Sequence, residues 1–318
     1  MKTASQLLRE AEGLKSRLSS CSPLVGNNEA WAVQHQLQVV CGQLLVHWIE
    51  AALDHGVERD LWNQGFRNTI TQLQAQAKDK QGGSNEARDL LGWFLNSASG
   101  FYLQLFNQIC SEYGLDLPFR RKDSIYGVVD LNVYTQTKSK ASSQKNALYI
   151  CQYCLVHLGD LARYRHQAKQ AETYYRHAVM VAPTSGHPYN QLALLEAGRG
   201  NRLAAVALYV RAMCVPCPFP GAPANLTQTL SKLLASCRNN DVSASSRVTG
   251  EEYTNLFLQC HARLYLHADV VHAQEALPTL SSALSTLVAT NAFTRTSLIQ
   301  MVVVKLIMVL THYFQQVL

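Results

Sequence analysis

The 318-residue sequence has few prolines (9) and few glycines (17), and both are spread along the chain. That spread excludes collagen-like and low-complexity classes. No hydrolase elbow, phosphate-binding loop, dinucleotide fingerprint or H-E-x-x-H zinc motif occurs, so nothing in the sequence points to an enzyme. His157, His166 and His177 lie near carboxylates, but at no spacing that makes a catalytic triad. There is no secretory start: Met1-Lys2-Thr3 leads straight into an amphipathic pattern. There is no bilayer-spanning run either. The most apolar stretch, Leu298 to Leu310, is too short and carries Lys305, so no membrane role is expected. Strand-like alternation is almost absent; the one candidate, around Ile125 to Val133, reads as a loop.

The chain is mildly basic, with a formal charge of +6 and a pI near 8.8. That suits an acidic partner, either a phosphoprotein or RNA, without choosing between them. Nine cysteines, an odd number, imply reduced thiols and an intracellular protein. The C-x-x-C pairs Cys151/Cys154 and Cys214/Cys217 could in principle hold zinc. They fall in or at the end of helical patterns with no knuckle glycines after them, so no metal and no cofactor is expected.

Apolar residues recur at helical spacing from the start. Leu7, Leu8, Ala11, Leu14 and Leu18 form one stripe. A second helix is predicted from Ala30 to Asp54, with Trp31, Leu37, Leu44, Trp48 and Ala52 inward. A third is predicted from Arg59 to Lys78, carrying Trp62, Phe66, Ile70, Leu73 and Ala77 on one face. The turn Asp79–Asn85 (DKQGGSN) leads to a long helix, Glu86 to Tyr113. Residues 115 to 146, with Pro118 and the polar run Gln136 to Lys145, read as a loop. Farther on, helices are predicted at Ala224–Ser236, Glu251–His272, Ala276–Val288 and from Thr294 onward. Residues 1–238 form the expected first domain, 239–250 a linker, and 251–318 the start of a further helical-hairpin region. The last helix is apolar nearly all round, which predicts an exposed apolar face and a natural protein that continues.

Between these parts lies a repeat. Leu158 recurs as Leu192, Gly159 as Ala193, Ala171 as Ala205, Tyr175 as Tyr209 and Ala178 as Ala212, each pair 34 residues apart. This is the tetratricopeptide period and pattern. Small residues let paired helices approach closely and the aromatic fills the gap. Opposite the packed positions, Val156, Asp160, Arg163 and Asn190 fall on the stripe expected to line a groove. An arginine there suits a phosphate through its planar fork, and an asparagine can hold a peptide backbone. The alternative for Arg163 is a solvated side chain paired with Asp160. Arg67 lies beside the apolar face of the third helix and offers a second cation.

The segment Gly159-Asp160-Leu-Ala-Arg163-Tyr164 resembles the G-D-x-x-R-Y helix of 14-3-3 proteins. Together with Val57–Lys78, Tyr149–Arg165, Ala171–Ala178 and Pro188–Leu194 it is similar to the Est-one/Smg family over essentially the whole chain. The resemblance implies an all-α fold: a 14-3-3-like helical domain whose tetratricopeptide-type hairpins continue into an α-helical solenoid. It implies a phosphoserine-peptide-binding adaptor of nonsense-mediated mRNA decay, not an enzyme. The implied ligand is the phosphorylated up-frameshift RNA helicase, with Arg67, Arg163, Tyr164 and Asn190 as the binding residues. Gln74 stands where 14-3-3 proteins place a second arginine, which implies a weaker phosphate grip. The fifth Smg protein is the implied heterodimer partner, with Gly100 as the interface candidate. As a glycine inside a long helix it costs about 1 kcal/mol, so a close contact, internal or with the partner, should compensate. Decay enzymes would be reached through a further region, RNA contact would be indirect, and the protein would be cytoplasmic with nuclear shuttling. A telomerase-associated Est-one-type protein and a generic tetratricopeptide scaffold are the alternatives. A co-chaperone clamp needs lysine and asparagine where Val156 and Asp160 stand, and the acidic cluster of a PIN nuclease is absent.

Overall fold

A computed structural model of the chain describes residues 2–20, 27–78, 84–120, 141–237 and 248–317. Every regular element among them is helical, with one isolated bridge between Ser185 and Cys217. They form two compact units, Met1–Ala182 and Pro183–Leu318. The division falls inside the repeat pair, not at residues 239–250 as composition suggested. The cause is packing: Leu203, Val206 and Val210 share one core with Leu230, Tyr253, Phe257 and Val304, so the second hairpin goes with the helices after it.

The first unit comprises α1 (Ala4–Ser20), α2 (Asn28–His47), α3 (Ile49–Asp54), α4 (Val57–Trp62), α5 (Asn68–Lys78), α6 (Ser84–Glu112), α7 (Ala141–Tyr164) and α8 (Ala168–Val181). One turn of π-helix, Asn63–Arg67, joins α4 to α5. α2 buries one broad face, through Val33, Leu37, Val40, Leu44 and Leu45 among others, and exposes the other through Ala32, His35, Val39 and Gln43. Asn27 caps it by accepting from the amides of Glu29 and Ala30. An aromatic cluster fills the space between α4–α5 and α6. Trp62 is 7% and Phe94 4% exposed, and Phe66 packs 5.2 Å from both Phe101 and Tyr102.

Three predicted boundaries are corrected. The helix expected over 30–54 breaks at Trp48, whose backbone leaves the helical region (φ −132°, ψ 46°); Trp48 is consequently 38% exposed rather than inward. The helix expected over 59–78 starts at Val57 and is interrupted by the π-turn. α7 starts at Ala141, so residues 141–146 are helical rather than loop. Of the remaining loop, residues 121–140 lie outside the described structure, as do 79–83 and most of the expected linker.

The second unit comprises α9 (Gly186–Gly198), α10 (Arg202–Cys214), α11 (Ala222–Cys237), α12 (Gly250–Tyr265), α13 (Val270–Ala289) and α14 (Arg295–Val317). α12 opens on a capping box between Thr249 and Glu252. It ends at Tyr265, short of the predicted His272. His267 and Asp269 take positive φ there, and the Asp269 side chain caps α13. On α14, Met301 and Val304 are buried while Ile299, Val302 and Leu306 form an exposed apolar stripe. No helix among the described residues is long and apolar enough to cross a membrane.

All ten residues of the repeat pattern are buried. Gly159 is the tightest of them. A Cβ at Gly159 would meet the Tyr175 ring at less than van der Waals distance, whereas Ala193 at the matching place in α9 carries one. Tyr175 cannot retreat, because its hydroxyl donates to Asp160 at 2.7 Å. Gly159→Ala should therefore destabilise the chain by about 1–3 kcal/mol, with Ala193→Gly costing less than that. Urea unfolding of both variants followed by circular dichroism checks this.

Candidate functional site

The candidate residues of the first unit stand on two elements: Arg67 at the end of the π-turn, and Arg163 and Tyr164 at the end of α7. Behind them lies Asp160, a carboxylate 3% exposed. Its Oδ1 accepts from the Tyr175 hydroxyl at 2.7 Å and from the Arg163 guanidinium at 3.2 Å. Its Oδ2 lies 3.4 Å from His157 Nδ1. Burial alone would raise the Asp160 pKa; His157, Arg163 and Tyr175 together hold it below the ordinary carboxylate value. The aspartate is thus a buried anion that aims the arginine.

Arg163 is a fixed group. Besides Asp160 it reaches the Tyr175 oxygen through Nε at 3.4 Å, and its guanidinium carbon sits 4.8 Å from the centroid of the Tyr164 ring. Its side chain keeps 31% of its surface open, so the pairing with Asp160 leaves one edge of the fork accessible. Arg67 is exposed. Burial lowers the His157 pKa and raises that of Tyr164, and the Arg67 charge is a smaller downward influence on both. Trp62 stacks on His157 at 3.8 Å and 17°. Burial, aided by Arg67, pushes the His157 pKa down, so the ring is neutral at neutral pH.

Asn190 and Val156, placed on the groove stripe by spacing, are both buried. Asn190 belongs to the second unit and is 2% exposed; its side-chain oxygen accepts from Asn225 Nδ2 at 2.9 Å. In this conformation it offers no carbonyl to a peptide. Val156 is wholly buried. Gly100 is exposed on α6, and a Cβ there would meet nothing within 4 Å. The internal contact that could have compensated this glycine is absent among the described residues. Cys151 and Cys154 are wholly buried, and Cys151 Sγ lies 3.6 Å from Cys110 Sγ; Cys214 and Cys217 are exposed in the other unit. The residue that spacing did not disclose is Tyr175, brought to Asp160 by the packing of α8 on α7; His157 lies one turn before Asp160 on the same helix.

An all-α chain built of tetratricopeptide-type hairpins, with an arginine and a tyrosine packed together at the end of a G-D-x-x-R-Y helix, belongs to the helical class that includes the 14-3-3-like folds. Two consecutive family models match it, "Telomerase activating protein Est1" over residues 56–169 and "Est1 DNA/RNA binding domain" over residues 171–317. The nonsense-mediated mRNA decay factor SMG7 of Danio rerio is 38% identical over 308 residues, covering 96% of this chain and 26% of the zebrafish protein. SMG7 of Arabidopsis thaliana is 32% identical over 171 residues, covering 50% of this chain and 16% of the plant protein. The chain belongs to the Est1 family, of which these SMG proteins are its relatives, and it spans about a quarter of the zebrafish protein's length. The solved C. elegans SMG5–SMG7 complex shares the fold, with a TM-score of 0.61 at 20% identity over 94% of this chain and 73% of that one. So does the structure of Est1 and Cdc13, with a TM-score of 0.71 at 14% identity over 98% and 65%.

One further charge borders the site. Glu58 lies a turn before Trp62 and is 4% exposed. Its Oε2 has no hydrogen-bond partner among the described residues, and Oε1 is 3.8 Å from Arg59 Nε. Burial raises its pKa above the model-peptide value. A raised carboxyl pKa means that the folded state holds the proton more tightly. Stability from this group is then present below the unfolded pKa and is lost as pH rises through the folded one. Glu58→Gln should raise the melting temperature by about 2 °C at pH 7 and leave it unchanged near pH 4. Thermal melts of the two proteins at both pH values give the comparison.

Proposed function

We propose that this chain is a phosphoserine-peptide-binding adaptor of nonsense-mediated mRNA decay, with the phosphorylated up-frameshift RNA helicase as its ligand. The observation that carries the reading is Arg163, held by a buried carboxylate and stacked on Tyr164 with part of its side chain open; Arg67 is taken as the second cation of the site. Two cations on rigid supports, next to a tyrosine, form a receptor for a dianion. A neutral His157 behind them adds no competing charge. The SMG7 relatives are named as decay factors, which supports the pathway. Asn190 is left out of the ligand contacts for as long as Asn225 holds its oxygen.

The test is fluorescence anisotropy with a labelled phosphoserine peptide of that helicase and its unphosphorylated twin. Each charge-assisted bond contributes on the order of 1.5–3 kcal/mol. Arg67→Glu and Arg163→Glu should each weaken the phosphorylated peptide at least tenfold, with unchanged helicity. Equal binding of the two peptides would end the proposal.

The same chain is proposed to pair with the fifth Smg protein through the face of α6 that carries Gly100. A groove of about 480 Å³ lies between α2 and α6, lined by His35, Val39, Gly42, Val46, Phe101 and Gln108. The named pairing of SMG5 with SMG7 in the C. elegans complex supports this. Because space at Gly100 is open within the chain, Gly100→Leu should leave melting and phosphopeptide affinity unchanged while abolishing co-elution with the partner. Retained co-elution would move the interface elsewhere. A telomerase role is the second reading, favoured by the Est1 model over residues 56–169; it gives no reason for phosphorylation to matter, so the twin peptides separate the two.

A further inference from the structure

The helix that carries Arg67 is interrupted at the residues just before it. In the π-turn Asn63–Arg67, the amide of Asn68 donates to the carbonyl of Asn63, five residues back. Such a turn accommodates one residue more than an α-turn, and single π-turns gather at functional sites. The burial pattern displays the extra residue. The inward pairs are Val57/Glu58, Leu61/Trp62, Gly65/Phe66 and Thr69/Ile70, recurring every four residues. An unbroken α-helix repeats about every 3.6 residues and would drift by roughly one residue, about 100° of rotation, over that length. The π-turn removes the drift, and it decides which way the side chain after Phe66 points.

A π-turn displaces the usual partners of its carbonyls, and in a dry core each must find another donor. Two glutamines of α2 supply them. Gln38 Nε2 donates to the Gly65 carbonyl at 2.8 Å. Gln34 Nε2 donates to the Gln64 carbonyl at 3.3 Å and to Thr69 Oγ1 at 2.6 Å. These side chains are one helical turn apart and buried, at 1% exposure for Gln34 and 9% for Gln38. Glutamine is a costly choice for a helix core unless its amide is used. Gly65 completes the fit: a Cβ there would come within 3.3 Å of Leu61 Cδ1 and 3.5 Å of Gln38 Cγ. The tighter of these contacts is with Leu61, and the Gln38 stem lies at ordinary van der Waals distance beside the backbone it caps.

We infer that Gln34 and Gln38 are positioning residues for the phosphopeptide site: their amides hold the π-turn open, and the π-turn sets the rotation at which Arg67 leaves its helix toward Tyr164 and Arg163. The inference rests on the reading that Arg67 meets the phosphate. Neither glutamine would touch the ligand. A role limited to stabilising the core predicts lost stability with Arg67 still effective. A positioning role predicts that Arg67 loses its effect.

A double-mutant cycle on the full chain separates these. Affinities for the labelled phosphoserine peptide are measured for the parent, Arg67→Ala, Gln34→Leu/Gln38→Leu, and the triple variant, with thermal melts of each. The glutamine variant should bind roughly tenfold more weakly, the loss of about one charge-assisted bond. Adding Arg67→Ala to it should then cost little. Unchanged affinity in the glutamine variant, or losses that multiply independently, would overturn the inference. If that variant does not fold, Gln38→Leu alone enters the same cycle. Hydrogen exchange at the Asn68 amide should then quicken, and unchanged exchange would count against the idea. Should Arg67→Ala leave the parent's affinity intact, the phosphate role of Arg67 fails in an arm that contains no glutamine change, so the two failures are distinguishable.

Discussion

A buried carboxylate governs the first unit. An anion as enclosed as Asp160 is costly unless opposite charge and hydrogen bonds meet it from several sides. They arrive from His157 on its own helix, from Tyr175 on α8 and from Arg163 one turn on. Each has a structural consequence. Tyr175 reaches Asp160 only because residue 159 has no side chain, so the spacing of α7 and α8 is set by this bond. Arg163 is held with one edge inward and the other open. His157 stays neutral and can stack on Trp62, which ties α4 to α7. Under the proposed function the arginine would need no reordering to meet a phosphate, so less binding free energy would be lost to immobilising it.

The same 34-residue pattern serves two purposes. In α7–α8 the glycine and aspartate at 159 and 160 admit a tyrosine and build a polar network. In α9–α10 the matching positions are Ala193 and Leu194, and Tyr209 simply fills the gap. The hairpin geometry is common to both, and the chemistry comes from two substitutions on it. The proposed function lies in a site placed on a repeat, not in the repeat itself. The two hairpins fall in different compact units, and α10 completes a core with α12 and α14.

Much of this was legible in advance, for a physical reason. Helical periodicity records which side of a helix avoids water, so the stripes through Leu7–Leu18, the repeat and the inward face of α5 could be read directly. Boundaries were harder. Trp48 looks inward by spacing, yet it ends α2 because the chain turns there; α7 extends six residues before its first strongly apolar turn because a polar stretch can be helical too. Asn190 shares a stripe with Arg163 one repeat earlier, but Asn225 claims its side chain from α11, a partner 35 residues away that no local pattern reveals.

The sequence by itself determined the class of the molecule and the identity of its cations. An all-helical chain follows from the apolar periods, the hairpins from a 34-residue spacing of small and aromatic residues, and the candidate arginines from their place on helix faces. Only the tertiary structure decided how those arginines are held. The π-turn before Arg67 leaves no local signature beyond a four-residue burial period, because its carbonyls are capped by glutamines some thirty residues upstream. Asp160 is an ordinary surface-type residue until Tyr175 closes on it from α8. Hydrogen bonds between helices depend on distances in space, and spacing along one chain segment carries no record of them.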